Sequence, residues 1–533
     1  MRRQLWQQWP RQALAVGGLI ALVLARPSSA EPQATTNLRS AKDTFVSSAR
    51  PTEAFGANAR MIVGWREPFQ ATRSLVSFPV HELARNQAVT DARLRLFVRE
   101  AGPLGEPSRD IVVRRVSGDW SEGGATWSSF PGFDDKIWAS RGLGTTGGWV
   151  DWSGLRDVVR RWRLPSWQRD ALRNEGLYVQ GYEAAGSYRA FDTREGPNAP
   201  ELRLEHVTDT RPPVSVLEPL PPYVNAQTAE LLQPGVARIR LRWTGSDPDP
   251  WTGIDHFRVY AQRNNGDWSL AADRVHGFSR DTAARDGGLY LFNVYAMDQA
   301  GNLEPAKPPE AQTFVDLTPP VAAVRPLPAY VKAPFSLSWE GADGPTGDDM
   351  RASGVASYDV FYRVAYGDWQ PLAVGTSETG LVFHGPLVEG AVHEFMAGAA
   401  DRAGNVYLPE AAQAGTLFDS LAPVVVFDPV PGITGTSFTV RWRGEDFGGS
   451  GAVAYDIQYR VNRGPWMDWV RDSADTARLF QGAYSNTYVF RGRARDAASN
   501  QGDYQAHGHL VVGVIDPTIF VTRLSFPWMG KGP

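Results

Sequence analysis

Three kinds of residue in this chain could do chemistry. The first is the polar cluster in AMDQAGN, residues 296–302, which sets Asp298, Gly301 and Asn302 in one loop. A carboxylate placed this way can ligate a hard cation, or it can accept bonds from the amides of its own turn. The second is His507-Gly508-His509, which puts two imidazoles on one face if the segment is a strand. Two histidines can begin a zinc site, but no third ligand is marked, and a surface pair is the expectation. The third is an abundance of aromatic rings, 19 of them tryptophan. Flat rings stack on the C–H faces of sugars, while Asn, Gln, Asp, Glu or Arg at the rim bond the hydroxyls. Trp65, Trp138, Trp149, Tyr182 and Tyr188 lie beside glycine-rich or polar segments and are the rings expected at the surface. Asp134, Asp135 and Arg189 are candidate polar partners. Trp120, Trp127 and Trp162 sit beside apolar runs and are expected in the core.

Other chemistries find no support. There is no cysteine, so disulfides, thiolate zinc sites and cysteine nucleophiles are excluded. No G-x-S-x-G elbow, P-loop or H-E-x-x-H occurs. The formal net charge is −4 and no segment carries a basic block, which argues against nucleic acid. The expectation is a non-enzyme with no catalytic residues, no metal ligands and no cofactor.

The elements that must position these residues begin with a repeat. VYAMDQAGN, AGAADRAGN and GRARDAASN end at Asn302, Asn405 and Asn500. Before each, an alternating run ends in tryptophan: RIRLRW at Trp243, FSLSW at Trp339 and FTVRW at Trp442. Ile239, Leu241 and Trp243 share a face, as do Phe335, Leu337 and Trp339, and Phe438, Val440 and Trp442. Period two with one apolar face is a half-buried strand. A second strand follows in each copy (DHFRVYAQR, SYDVFYRV, AYDIQYRV), then a turn and Trp268, Trp369 or Trp466. A third strand precedes the aspartate, with Tyr290, Phe292, Val294 and Ala296 on one face of the first copy. TDTRPP, DLTPP and DSLAP mark the boundaries. The step of about 100 residues with a core tryptophan fits a sandwich of immunoglobulin type. The expected units are 212–316, 317–420 and 421–516.

These copies resemble bacterial fibronectin type III and immunoglobulin-like modules, in which a D-x-A-G-N loop closes a hairpin near the end of the domain. Ser499 departs from the glycine expected there. A turn is therefore the favoured reading of the opening cluster. A metal loop needs more convergent carboxylates, and the acids in SDPDP (246–250) and GDD (347–349) show no shared spacing and read as insertions in a connecting loop.

Residues 38–206 do not repeat. RMIVGW, RSLVSFPV and DARLRLFVRE alternate; in the last, Leu94, Leu96 and Val98 share one face, and Arg93, Arg95 and Arg99 the other. GLRDVVRRW carries a helical stripe of Leu155, Val158, Val159 and Trp162. Mostly strands over this length indicate a jelly-roll-like sandwich. The whole chain is thus expected to be all-β. The segment resembles the DNRLRE-type domain, a carbohydrate-binding-module-like β-sandwich of secreted prokaryotic proteins. The resemblance rests on Asp43-Thr44-Phe45-Val46, Phe55-Gly56, Val63-Gly64, Arg73-Ser74-Leu75, Trp120-Ser121-Glu122, Thr126-Trp127, Asn174, Gly176-Leu177, Phe191, Arg194-Glu195 and Pro200-Glu201-Leu202. Ser128-Ser129 stands where asparagine is expected. The resemblance implies polysaccharide binding, and Trp65, Trp138, Trp149, Tyr182 and Tyr188 are then the expected sugar-binding residues. Glu122 and Glu195 belong to the same pattern and are expected to bond backbone or arginine.

The start of the chain reads as an export signal over residues 1–30. Arg2, Arg3 and Arg11 precede the apolar run 13–25, and Ser28 and Ala30 precede a cleavage point between Ala30 and Glu31. The run is shorter than the roughly 18 apolar residues of a spanning helix, and no later stretch would cross a bilayer. The tail, 517–533, is apolar and of open role. The expected protein is secreted or held at the cell surface. Its expected partner is an extracellular polysaccharide or cell-wall glycan, bound by a head on a stalk. The alternatives are a structural adhesin or surface-layer component acting through surface proteins, and then a polysaccharide-degrading enzyme.

Overall fold

The structure, a computed structural model, describes residues 32–184, 186–344 and 351–516. The export segment, its cleavage point, the acidic run 347–349 and the tail 517–533 lie outside the described residues. The chain is nearly all β. Among the described residues the one α-helix is Arg156–Arg163.

An 11-stranded sheet curls on itself at the N-terminal end. Its path runs through Ala34–Arg39, Glu201–Thr208, Gln87–Gly102, Tyr188–Asp192, Arg60–Arg66, Gln70–Ser77, Leu177–Gln180, Arg109–Arg115 and Ala139–Leu143. Two strands sit off that path: Lys42–Ser47 on Gln70–Ser77, and Gly148–Trp152 on Gln87–Gly102. Alternation decides what faces inward. Ala92, Leu94, Leu96 and Val98 are buried, while Arg93, Arg95, Phe97 and Arg99 of the same strand point out. The helix lays its expected stripe on this core: Leu155, Val158 and Val159 are fully buried and Trp162 nearly so. Each such aliphatic burial contributes about 1.5–3 kcal/mol. The helix stops where Leu164 turns extended ahead of Pro165. Asp157 lies in its first turn and Arg160, Arg161 and Arg163 in its last, as the helix dipole favours.

Three sheet pairs follow in immunoglobulin-like order. In the first, Val214–Leu217, Val236–Ser246 and Ser279–Arg285 belong to one sheet, and Ala311–Val315, Gly288–Asp298, Ile254–Arg263 and Ser269–Val275 to the other. A two-residue strand, Tyr223–Val224, pairs parallel with Ala311–Val315, and its counterparts Tyr330–Val331 and Ile433–Thr434 pair parallel in the next two. The faces read from alternation hold: Trp243, Trp339 and Trp442 are each at most 2% exposed between their sheets. His507 and His509 do not share a strand face. They belong to a turn, with Gly508 at φ +79°, ahead of the strand Leu510–Val514.

The curled sheet and the first pair are joined by a tryptophan from within residues 38–206. Trp167 packs against the core of the first pair, with its ring 5.9 Å from His276 and 5.7 Å from Phe278. Its indole N–H donates to Asp255 O at 3.1 Å. Gln299 Nε2 donates back to Arg163 O at 3.0 Å.

Candidate functional site

The five rings expected to meet sugar do not form one platform. Trp149 sits on the strand Gly148–Trp152, directly opposite Phe97, and is 38% exposed. Its ring meets Phe97 edge-on at 5.6 Å, and the Arg95 guanidinium lies 4.8 Å from its centroid. Arg95 is held by Asp151 at 3.1 Å and Glu201 at 2.9 Å. An exposed indole, a second ring and a fixed set of guanidinium donors are what a sugar ring needs.

Tyr182, 49% exposed, projects from the loop after Leu177–Gln180 with Arg109 over its ring at 4.5 Å. The other three are half-buried rather than exposed. Trp138 packs against the core with Lys136 Nζ 3.7 Å above its ring. Tyr188 also packs on the core; its hydroxyl donates to Glu100 at 2.8 Å, and Arg66 covers its ring at 4.5 Å. Burial and that hydrogen bond raise the Tyr188 hydroxyl above the usual phenol range. Trp65 neighbours Gly64, the residue opposite Tyr188, so strand alternation sends its ring to the other face.

Two of the three polar candidates are structural, while Asp135 is exposed. Arg189 is 2% exposed and bonds Leu143 O at 2.8 Å and Glu106 at 3.1 Å inside the sheet. Asp134 pairs twice with Arg115, at 2.8 and 2.7 Å. Of the expected core tryptophans, Trp120 and Trp162 are buried, whereas Trp127 is half-buried beneath the Arg73 guanidinium at 4.4 Å. Arg73 is itself clasped by Glu183 at 2.7 and 3.2 Å. Sequence reading missed Arg73 and Arg95, although the outward phase of their strands marks both.

Four groups of carboxylates converge, each with one oxygen per residue within 4.8 Å of the others. In the first, Asp43, Glu122 and Glu195, the charge is answered locally. Arg194 bonds Glu122 at 2.7 Å and Glu195 at 2.9 Å, and Glu122 accepts the Asp43 amide at 2.9 Å. This is the backbone-and-arginine role expected for both glutamates. Burial pushes the Asp43 carboxyl up to about 6, with Glu195 and Glu122 adding to the rise.

The other three groups recur at the start of each sheet pair: Asp209, Asp247 and Asp298; Asp316, Asp343 and Asp401; Asp419, Asp446 and Asp496. The first member of each follows the last strand of the preceding unit. The third is the D-x-A-G-N aspartate, which behaves as the expected turn: Asp298 Oδ1 accepts Asn302 N at 2.8 Å and Oδ2 accepts Asn302 Nδ2 at 2.8 Å. The same asparagine reaches back across the boundary. Asn302, Asn405 and Asn500 donate to the carbonyls of Asp209, Asp316 and Asp419 at 3.1, 2.9 and 2.9 Å. The middle members share a spacing that comparing the acidic runs 246–250 and 347–349 does not reveal. WTGSD, WEGAD and WRGED place Asp247, Asp343 and Asp446 identically after the core tryptophan. Burial pushes the Asp247 carboxyl up to about 7, with Asp209 and Asp298 contributing.

Residues 34–206 match the family model of carbohydrate-binding module family 96. No curated protein matches the chain. Among solved structures, the chain is similar to the FN1–FN3 domains of chicken CNTN1 at 13% identity. That match covers 52% of this chain and 94% of that one, with a TM-score of 0.20. It is also similar to domains A168–A170 of titin at 14% identity, covering 56% and 99%, with a TM-score of 0.23. No helix among the described residues is long and apolar enough to cross a membrane.

Proposed function

We propose that this is an exported, non-catalytic polysaccharide-binding protein whose curled N-terminal sheet is the binding head and whose three sheet pairs form a stalk. The observation that carries the reading is the exposed Trp149, flanked by Phe97 and Arg95, within the segment matched by a carbohydrate-binding module family. The ring offers apolar contact to a sugar face, and the adjacent guanidinium offers donors to hydroxyls or carboxylates. The DNRLRE-type resemblance of residues 38–206 belongs to the same reading. Shallow, open contact of this kind binds weakly per site and gains from repeated sugar units along a chain.

The test is retention of the full chain on a panel of insoluble polysaccharides, neutral and acidic, with Trp149→Ala alongside. Retention on one class, weakened about tenfold (about 1.4 kcal/mol) in the still-folded variant, supports the reading. Absence of retention across the panel overturns it for those glycans and favours the adhesin reading, to which the hydrogen-bonded junctions between units lend their own support. Shortening of the polysaccharide by the pure protein overturns the non-catalytic part.

A further inference from the structure

We propose that the first sheet pair carries a second sugar-binding cleft, centred on Trp268 and shaped for a neutral polysaccharide. The cleft lies on the outer face of the sheet that holds Ile254–Arg263, Ser269–Val275 and Gly288–Asp298. Its volume is about 360 Å³, and its lining includes Tyr260, Trp268, Asn293, Tyr295, Leu303 and Lys307. Clefts that take small molecules run from about 300 to 1,000 Å³ and join apolar rings to a few placed polar groups. Alternation sends Val259 and Val294 to the core and Tyr260, Asn293 and Tyr295 the other way. Tyr260 and Tyr295 meet edge-on at 5.6 Å, and Trp268, which lines the same cleft, is 39% exposed. The polar groups are fixed from behind. Asn293, 4% exposed, donates to the Tyr295 hydroxyl and to Lys307 O, both at 3.2 Å. A hydroxyl that accepts from an amide keeps its own proton for a ligand.

The repeat supplies the comparison, because the other two sheet pairs close this position. Arg363 lies over Trp369 at 4.7 Å. Arg460 and Arg491 lie over Trp466 at 4.7 and 4.1 Å. Strand register puts Gln262 where the later pairs carry Arg363 and Arg460. Its amide turns to Gly266 O at 2.6 Å, and Trp268 stays uncovered. The same register sets Phe361 and Gly398, then Gln458 and Arg493, in the places of Tyr260 and Tyr295. The open indole and the tyrosine pair therefore occur together in the first sheet pair and in neither of its counterparts.

Three rings suit the C–H face of a sugar, and the phenol groups suit its hydroxyls. Glu304 and Lys307, the lysine and carboxylate of the lining, pair at 2.9 Å, so the cleft offers no net charge and selects a neutral sugar. The choice of a sugar as occupant rests on the polysaccharide-binding reading above. The first pair is also the unit bonded to the head through Trp167, and two sites on one polymer raise avidity beyond either alone.

The test is retardation of the full chain in native gels containing a soluble glucan, xylan, mannan or galactan, with polygalacturonate as the charged control. Trp268→Ala should weaken retention about fivefold on a neutral gel, and Gln262→Arg should do the same by laying a guanidinium on the ring. Trp369→Ala should leave retention unchanged. Melting curves that match the wild type show each variant to be folded. Should Trp268→Ala melt early, Gln262→Arg decides, because it keeps the ring. Retention abolished by Trp149→Ala and untouched by Trp268→Ala and Gln262→Arg keeps the head reading and overturns this cleft. The converse result supports the cleft and removes the Trp149 site. Equal losses at Trp369 and Trp268, retention on polygalacturonate alone, or no retention in any gel overturns the proposal.

Discussion

Trp149 and Trp152 lie on one short strand and face opposite ways, the first 38% and the second 1% exposed. Their substitutions should therefore be read on different instruments. Trp149→Ala should leave the melting curve almost unchanged and cost about tenfold in glycan retention. Trp152→Ala should cost about 3–5 kcal/mol of stability, measured by urea unfolding, because it empties the core and strands its bond to Ile111 O. Alternation made the difference between them readable in principle, but the neighbouring glycines obscured which residue starts the strand. Arg189 shows the limit more sharply. Besides the adjacent Tyr188 carbonyl, its acceptors are Glu106 and the carbonyls of Gly102 and Leu143, contributed by remote segments, and no local pattern marks an arginine as interior. Asp43 supplies a prediction in pH. Its folded carboxyl sits at about 6, above its ordinary value, so its stabilising contribution is complete below about pH 4 and is lost as pH rises to 6. Asp43→Asn should flatten the fall in stability between pH 4 and 6 by an amount on the order of 2–3 kcal/mol, visible as a difference in urea midpoints across that range.

At the scale of the element, the runs ending in Trp243, Trp339 and Trp442 were legible because a strand with one wet face writes its period directly into the sequence. The three carboxylate groups at the unit junctions were not, because each gathers residues from three separated segments and only the member in the turn motif is conspicuous. The W-x-G-x-D spacing is the signal that finds the second member. The turn itself yields a test. Gly301 and Gly404 adopt φ of +92° and +95°, and Ser499 is held at +68° in the same place. A side chain is disfavoured there by about 1–2 kcal/mol, part of which glycine returns as unfolded-chain entropy. Ser499→Gly should therefore stabilise the third sheet pair by about 0.5–1 kcal/mol, raising its thermal midpoint by a few degrees. The Lys332 bond to the Ser499 carbonyl, at 2.9 Å, is a backbone contact and should survive.

At the scale of the whole molecule, the units are bonded to one another through their turns. Asn225 of the first pair donates to Ala403 O at 2.7 Å, and its neighbour Ala226 N donates to Asn405 Oδ1 at 2.9 Å. Trp167 does the same work between the head and the first pair. Trp167→Ala should lower the midpoint of the first pair by several degrees, a loss of about 2 kcal/mol for a half-buried indole. It should also widen the range of head orientations seen by small-angle scattering. The parallel pairing of each pair's two-residue strand with its last strand has a mechanical meaning. If the head grips a fixed polymer while the other end is anchored, tension enters each sandwich near one of these strands and leaves near the other. Because the two run side by side in the same direction, the load shears their hydrogen bonds together instead of peeling them one at a time. Each unit is thus built to yield abruptly and at high force, so a pulled chain would hold its length until a whole sandwich gave way.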